Sequence, residues 1–456
     1  MPGWRRILAL LIAAALVAVG VLVLGRLTDR GRGGAGDVAD ALWLRDADVN
    51  FWPSVSRAVL SIVAVGLGVA LGREGAPQTV GAGVASKLAE WTQLPRWQRR
   101  LLVASGAGAG FAAVYNVPLG GSLFALEVLL GAVALPLVLP ALATSVIATA
   151  VAWTTLGTGP TYTLPHYTLH ATQMVWALLA GAIIGFAGLG WVRLVEAVAA
   201  RRPRRWGRYV APVVAFGILG VASMQYPQLL GNGKDVVQLG ALGRLSLGLM
   251  VVLVILRPLA TAACLGSGSP GGLFTPTLTV GVLLAGVLGT LWNHVWPGGT
   301  LGSYAVIGGG AFLAAAMQGP LSGLVLILEL TRNFDSLMCP TILAVVEATV
   351  VARRFGAPSI YSARLHLDDE AASTPAAGAA TIDILDGDGD LRPAGEGEAQ
   401  ARSLSGHGEP GARPPSGPGE PGARSPSGPG EPDARPPSGP GAPGASQAPT
   451  STSSSE

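Results

Sequence analysis

Charge is scarce in this chain. Of its 456 residues only 12% are Asp, Glu, Lys or Arg, while 50% are hydrophobic. Most of the charge falls outside the apolar stretches, which excludes a soluble enzyme and points to a polytopic protein of the cell membrane. The net charge of +3 says little, because the basic residues cluster in short loops, and no nucleic-acid partner is expected. Cysteine is scarce too. Cys264 and Cys339 both sit in apolar segments, which excludes a disulfide framework. His166, His170, His294 and His366 are scattered without ligand spacing, so neither a metal nor a cofactor is expected.

What the chain has is apolar length, punctuated by Gly and Pro. Apolar segments begin at 7–25 and 53–71 and recur to 336–352. Several are too short to cross about 30 Å of hydrocarbon as a straight helix, so they read as tilted or half-crossing helices. The first, within Met1–Arg30, reads as a retained span rather than a cleaved signal. The loop Arg201-Arg202-Pro203-Arg204-Arg205 is strongly basic and is expected to face the cytoplasm.

An internal repeat is present. Residues 106–128, GAGAGFAAVYNVPLGGSLFALEV, align with 308–330, GGGAFLAAAMQGPLSGLVLILEL, with ten of twenty-three positions identical. The shared positions include Pro118/Pro320, Gly121/Gly323 and Glu127/Glu329. Upstream, Gly72…Thr79-Val80-Gly81 matches Gly272…Thr279-Val280-Gly281, which sets Glu74 opposite Phe274. Repeats with interrupted segments in corresponding places are the signature of a transporter whose site lies at the repeat interface.

The most informative residue is Glu74, in Leu71-Gly72-Arg73-Glu74-Gly75-Ala76-Pro77. A carboxylate at membrane depth is expensive and marks a functional site. The neighbouring glycines and Pro77 are expected to interrupt the helix and free backbone N–H groups, which can bind an anion where they face a cavity. The second element is Gly266-Ser267-Gly268-Ser269-Pro270-Gly271-Gly272-Leu273-Phe274-Thr275-Pro276. An apolar run follows it and can start a helix there, aiming amides at an anion with no fixed cation to trap it. Ser267 and Ser269 fit no G-x-S-x-G elbow, so the chain is not read as an enzyme. Asp386-Gly387-Asp388-Gly389-Asp390 lacks the glycine and glutamate that a calcium loop needs further on. Glu127 and Glu329 are expected to be helix caps or buried acceptors, and Arg257 to pair with a buried carbonyl or carboxylate.

Gly72-Arg73-Glu74-Gly75, then Gly272-Leu273-Phe274-Thr275-Pro276, then Tyr361 in Ser359-Ile360-Tyr361-Ser362-Ala363 resemble, in the right order, the motifs of the CLC chloride channel and chloride/proton exchanger family. The resemblance covers about residues 30–365. It implies an all-α polytopic membrane fold with two inverted-repeat halves of tilted and broken helices, a homodimer, and one path per subunit for chloride or a similar anion. It makes Glu74 the gate, which occupies an anion site when ionised. Backbone amides near Arg73, Gly75, Leu273, Phe274 and Thr275 would line the path, and the Tyr361 hydroxyl would donate to the central anion.

The chain departs from the family pattern in places. Where the family has G-S-G-I-P it has Gly31-Arg32-Gly33-Gly34-Ala35-Gly36, without the serine donor or the proline. One apolar span precedes this stretch, where the family usually has more, so the chain reads as an N-terminally short member. The exchangers' internal glutamate, one position after the match to Glu127, is Val128 here, which cannot relay a proton. The proline of G-R-E-G-P is displaced to Pro77.

From about Asp368 apolar residues thin out and GEPGARPPSGP repeats at 408–418, 419–429 and 430–440 with small changes. Such a segment cannot bury enough apolar surface to offset its ordering entropy. The expected organisation is therefore a transmembrane anion-transport domain at 1–365 and a disordered tail at 366–456. Passive conduction, proton-coupled exchange and a non-transporting scaffold that presents the tail are the three functional readings. The intact Glu74, Phe274 and Tyr361 favour the first two, and Val128 favours conduction.

Overall fold

The computed structural model describes residues 3–28, 38–203 and 205–365, with the short stretches 382–383 and 392–393. The degraded motif at 31–36 and, apart from one two-residue antiparallel pairing of Ile382–Asp383 with Arg392–Pro393, the repeated tail lie outside the described residues. Fifteen α-helices make up the described domain.

The first seven helices are α1 (Gly3–Thr28), α2 (Val38–Leu44), α3 (Phe51–Gly66), α4 (Gly75–Trp91), α5 (Arg96–Tyr115), α6 (Pro118–Leu123) and α7 (Leu135–Leu156). A π-helical stretch, Phe124–Leu130, continues α6. A long helix, α8 (Ala171–Ala200), follows. The pattern then recurs as α9 (Gly207–Gln225), α10 (Lys234–Ala241), α11 (Leu247–Gly266), α12 (Phe274–Val295), α13 (Leu301–Met317), α14 (Pro320–Thr331) and α15 (Phe334–Arg354). The sequence repeat falls on α5–α6 and α13–α14. Each of its copies bends in the same way. Asn116 ends α5 at φ 57° and Gln318 ends α13 at φ 59°, and Pro118 and Pro320 then open the next helix. A left-handed residue terminates a helix, and a proline suits the first helical position because its missing N–H is not needed there.

The halves meet through equivalent atoms. Gly72 donates to the Gly272 carbonyl at 2.7 Å and Gly272 returns the bond to Gly72 at 2.8 Å. Glu329 accepts from the N–H groups of Leu119 (3.1 Å) and Gly120 (2.5 Å). Glu127 accepts from those of Leu321 (3.1 Å) and Ser322 (2.6 Å). Such exchanges between matched positions require an approximate two-fold axis between the halves. The two glutamates are therefore caps, as the sequence indicated, but each caps the other half's helix.

Among the described residues seven helices, α1, α7, α8, α9, α11, α12 and α15, are long and apolar enough to cross a membrane. Others are not: α3, with 16 residues, spans only about 24 Å. Burial separates the two kinds of surface. Every residue of α13 from Gly302 to Met317 is buried, whereas Leu139, Ile147 and Val151 of α7 and Val346 and Val350 of α15 present apolar side chains outward, as lipid contact requires. Close approach inside is achieved with glycine: a Cβ on Gly108 or Gly121 would collide with the backbone of the neighbouring helix, so α5 and α6 pack nearly backbone to backbone. Arg257, fully buried on α11, donates to the carbonyls of Gln228, Leu229 and Gly231 at 3.3, 2.7 and 2.6 Å, which ties the turn before α10 to α11.

Candidate functional site

The interruption before α4 runs from Leu67 to Glu74, and α4 starts at Gly75. Pro77 does not break the helix. It sits in the first turn of α4, where a proline displaces no intrahelical bond. The matching interruption in the second half ends at Leu273, and α12 starts at Phe274. The reciprocal Gly72–Gly272 pairing holds these two interruptions side by side, so the helices that follow them start close together.

Glu74 fills the space between them. Its side chain is buried, and Oε1 accepts from the Phe274 N–H at 2.6 Å. Phe274 is the first residue of a 22-residue helix, where free N–H groups and the positive end of the helix dipole favour a negative charge. The N–H groups of Thr275 and of Glu74 itself also act on the carboxylate. The carboxylate thus sits where free N–H groups and the helix dipole favour negative charge. The space it uses exists because Gly72 and Gly272 have no side chains: a Cβ on Gly72 would overlap both its oxygens, and one on Gly272 would overlap Oε1. The other oxygen, Oε2, is met by hydroxyls, with Tyr115 Oη at 3.2 Å and Thr275 Oγ1 at 3.4 Å.

The predicted residues divide into three groups. Glu74, Phe274 and Thr275 are in direct contact. Gly75, Leu273 and Tyr361 line one cavity of about 290 Å³ together with Glu74. Tyr361 is 5% exposed, in the segment after α15, and packs edge-on against Phe124 with ring centroids 5.4 Å apart. Arg73 is apart from these: its guanidinium lies over the Tyr115 ring, 5.9 Å from the centroid, and it is not among the residues of the cavity wall. Phe111, Tyr115 and Phe274 pack into an aromatic wall, with Phe111 edge-on to Phe274 at 4.7 Å and tilted against Tyr115 at 5.0 Å.

Sequence reading missed Tyr115, although a signal existed. It ends the α5 copy of the repeat where the other copy has Met317, a polar ring against an apolar chain. It also missed the hydroxyl of Thr275, of which only the amide was expected to matter. The third omission is charge on the cavity wall. Arg57 on α3, Arg202 and Arg364 line it, with Asp40 of α2 as the opposing acid beside Glu74. Val128, where a proton-relaying glutamate was sought, is buried in the π-helical stretch beside Gly319.

Comparison with known proteins agrees with the fold and the family resemblance. The family model described as voltage gated chloride channel matches residues 13–353. Over 381 residues the chain is 33% identical to a ClcB-like chloride channel protein of Ralstonia nicotianae, covering 80% of this chain and 86% of the relative. It is 30% identical over 387 residues to the H(+)/Cl(-) exchange transporter ClcA of Vibrio parahaemolyticus, covering 80% of each. Among solved structures it is similar to a slow cyanobacterial Cl−/H+ antiporter, with TM-score 0.69 at 21% identity over 79% of this chain and 89% of the other. It is also similar to a CLC-type fluoride/proton antiporter, with TM-score 0.62 at 20% identity over 79% and 97%.

Proposed function

Because the chain belongs to the CLC family of voltage gated chloride channels, and so to a family of integral membrane anion transporters, we propose that it passes chloride or a similar small anion through a path gated by Glu74. The observation that carries this is the Glu74 carboxylate on the Phe274 N–H at the start of α12. An ionised carboxylate and a chloride ion compete for the same amides. Protonation removes the charge, weakens the hold and lets the side chain leave. The amides of Gly75, Leu273 and Thr275 and the hydroxyl of Tyr361 then serve the anion. Arg202, in the basic loop read as cytoplasmic, lines the cavity beside Tyr361, which supports reading that cavity as the inner vestibule. Its arginines raise the local anion concentration there. Residues 1–365 are the working domain, two copies of which form a homodimer with one path each.

Movement of anions without coupled protons is the reading Val128 supports, since an apolar side chain stands where a titratable relay is needed. Proton-coupled exchange is the second reading. It is favoured by the similarity to proteins named as H(+)/Cl(-) exchange transporters. Purified protein in liposomes with a chloride electrode and a pH electrode tests both. Chloride efflux with little uphill proton movement is expected. Robust uphill proton movement would replace the first reading with the second, and no flux at all would leave the scaffold reading.

A further inference from the structure

Tyr115 lies outside the motifs that mark the anion path, yet its hydroxyl occupies a central place. It is 1% exposed and makes two contacts at once, Glu74 Oε2 at 3.2 Å and Thr275 Oγ1 at 2.6 Å. Each hydroxyl has a single proton to give. With Glu74 ionised, two orders satisfy all three groups: Thr275 donates to Tyr115 and Tyr115 to the carboxylate at 3.2 Å, or Tyr115 donates to Thr275 and Thr275 to the carboxylate at 3.4 Å; the shorter bond to the charge favours the first. Hydrogen bonds in such a chain polarise one another, and the last of them ends on a charge in a dry environment, where it is strongest. The carboxylic acid has an O–H of its own and accepts less well, so the chain favours the ionised side chain over the protonated one.

We propose that the Tyr115 hydroxyl, backed by Thr275, is a latch that holds the Glu74 carboxylate in the anion path and sets how readily protonation releases it. The proposal rests on Glu74 being the gate. Tyr115 is a positioning residue in this scheme, since it acts on the anion only through Glu74. The latch stands on a side chain held on several sides. Its ring is held by Phe111 at 5.0 Å and Phe274 at 5.5 Å, and its backbone carbonyl accepts from Thr161 Oγ1 at 2.6 Å. The hydroxyl therefore stays put while the longer glutamate chain moves. Other charged or titratable groups surround the gate: Arg73 beside Tyr115, Tyr162 in the segment after α7, and Asp40, Arg57, Arg364 and Tyr361 on the cavity wall. They set the field in which the gate titrates. The latch adds a directed bond to one oxygen.

Tyr115→Phe keeps the ring stack and deletes only the hydroxyl, so it tests the latch without disturbing the fold. Chloride efflux from liposomes, recorded from pH 4.5 to 8, is compared for wild type, Tyr115→Phe, Glu74→Ala and the double variant. Losing one charge-assisted bond shifts the closed-to-open balance about tenfold, which moves the pH of half-maximal efflux upward by about one unit. Efflux at pH 7.5 rises toward that of Glu74→Ala, and in the Glu74→Ala background Tyr115→Phe changes nothing. Thr275→Val, which removes the donor behind Tyr115, shifts the profile in the same direction by less. If Glu74→Ala keeps the wild-type pH profile, Glu74 is not the gate and the latch falls with it. If Glu74→Ala is insensitive to pH but Tyr115→Phe matches wild type, the gate stands and the latch alone is refuted. An equal effect of Tyr115→Phe with and without Glu74 also overturns it, because the hydroxyl would then act on the pore directly.

Discussion

Glu127 and Glu329 cap each other's half: the first sits at the start of α14, the second at the start of α6, each accepting two backbone N–H groups. Neither glutamate stabilises its own repeat in this way. Each half brings a helix N-terminus with unsatisfied donors and a carboxylate to fill the other's, so the helix pair is complete only when both halves are folded.

Removing one cap therefore weakens the joint between halves. Glu329 is 8% exposed, and Glu329→Ala leaves the buried Gly120 N–H and the partly buried Leu119 N–H without their acceptor. The expected cost is about 1–3 kcal/mol, the penalty of one buried donor left unsatisfied. Thermal unfolding in detergent followed by size-exclusion chromatography would show a lower midpoint. An unchanged midpoint would mean that the cap contributes nothing net.

Gly72→Ala is expected to open the gate without touching Glu74. The new Cβ would overlap both carboxylate oxygens, and the side chain that has to yield is flexible. The Gly72 backbone is not in the left-handed region, so alanine fits the main chain. Anion efflux should rise and lose most of its dependence on pH. Efflux and pH response identical to wild type would show that the carboxylate is not confined to this space when the protein works.

Tyr361→Phe should weaken chloride binding by about 0.5–1.5 kcal/mol, the usual net value of one hydrogen bond. The ring contact with Phe124 is retained in this variant, so the fold should tolerate it. Calorimetric titration with chloride measures the change, and unaltered affinity would remove Tyr361 from the anion path.

Deleting residues 370–456 should leave insertion, assembly and flux intact. The deleted stretch has neither the apolar content nor the periodicity to pack on a membrane domain. Loss of flux or of the assembled form in the truncated protein would assign the repeats a structural role.

Much of the candidate site was legible because membrane burial makes certain residues expensive. A glutamate between glycines in an apolar stretch signals its purpose, and the Gly72/Gly272 register already set Glu74 opposite Phe274, the amide it meets at 2.6 Å. Pro118 and Pro320 likewise mark helix starts on local grounds. Tyr115 was not legible as a partner of Glu74. Nothing local distinguishes a tyrosine that packs from one that also donates, and its contact with Thr275 joins positions 160 residues apart.

The sequence by itself determined the membrane class, the repeated halves and where their helices must stop, because glycine, proline and a buried carboxylate act through the backbone and the solvent around them. Only the tertiary structure decided which oxygen meets which donor: Glu74 on Phe274 and Tyr115, Glu127 on α14, Glu329 on α6. Those choices depend on side-chain positions between segments far apart in the chain. Hydrogen bonds change from made to unmade within a few tenths of an ångström, a precision that residue spacing does not carry.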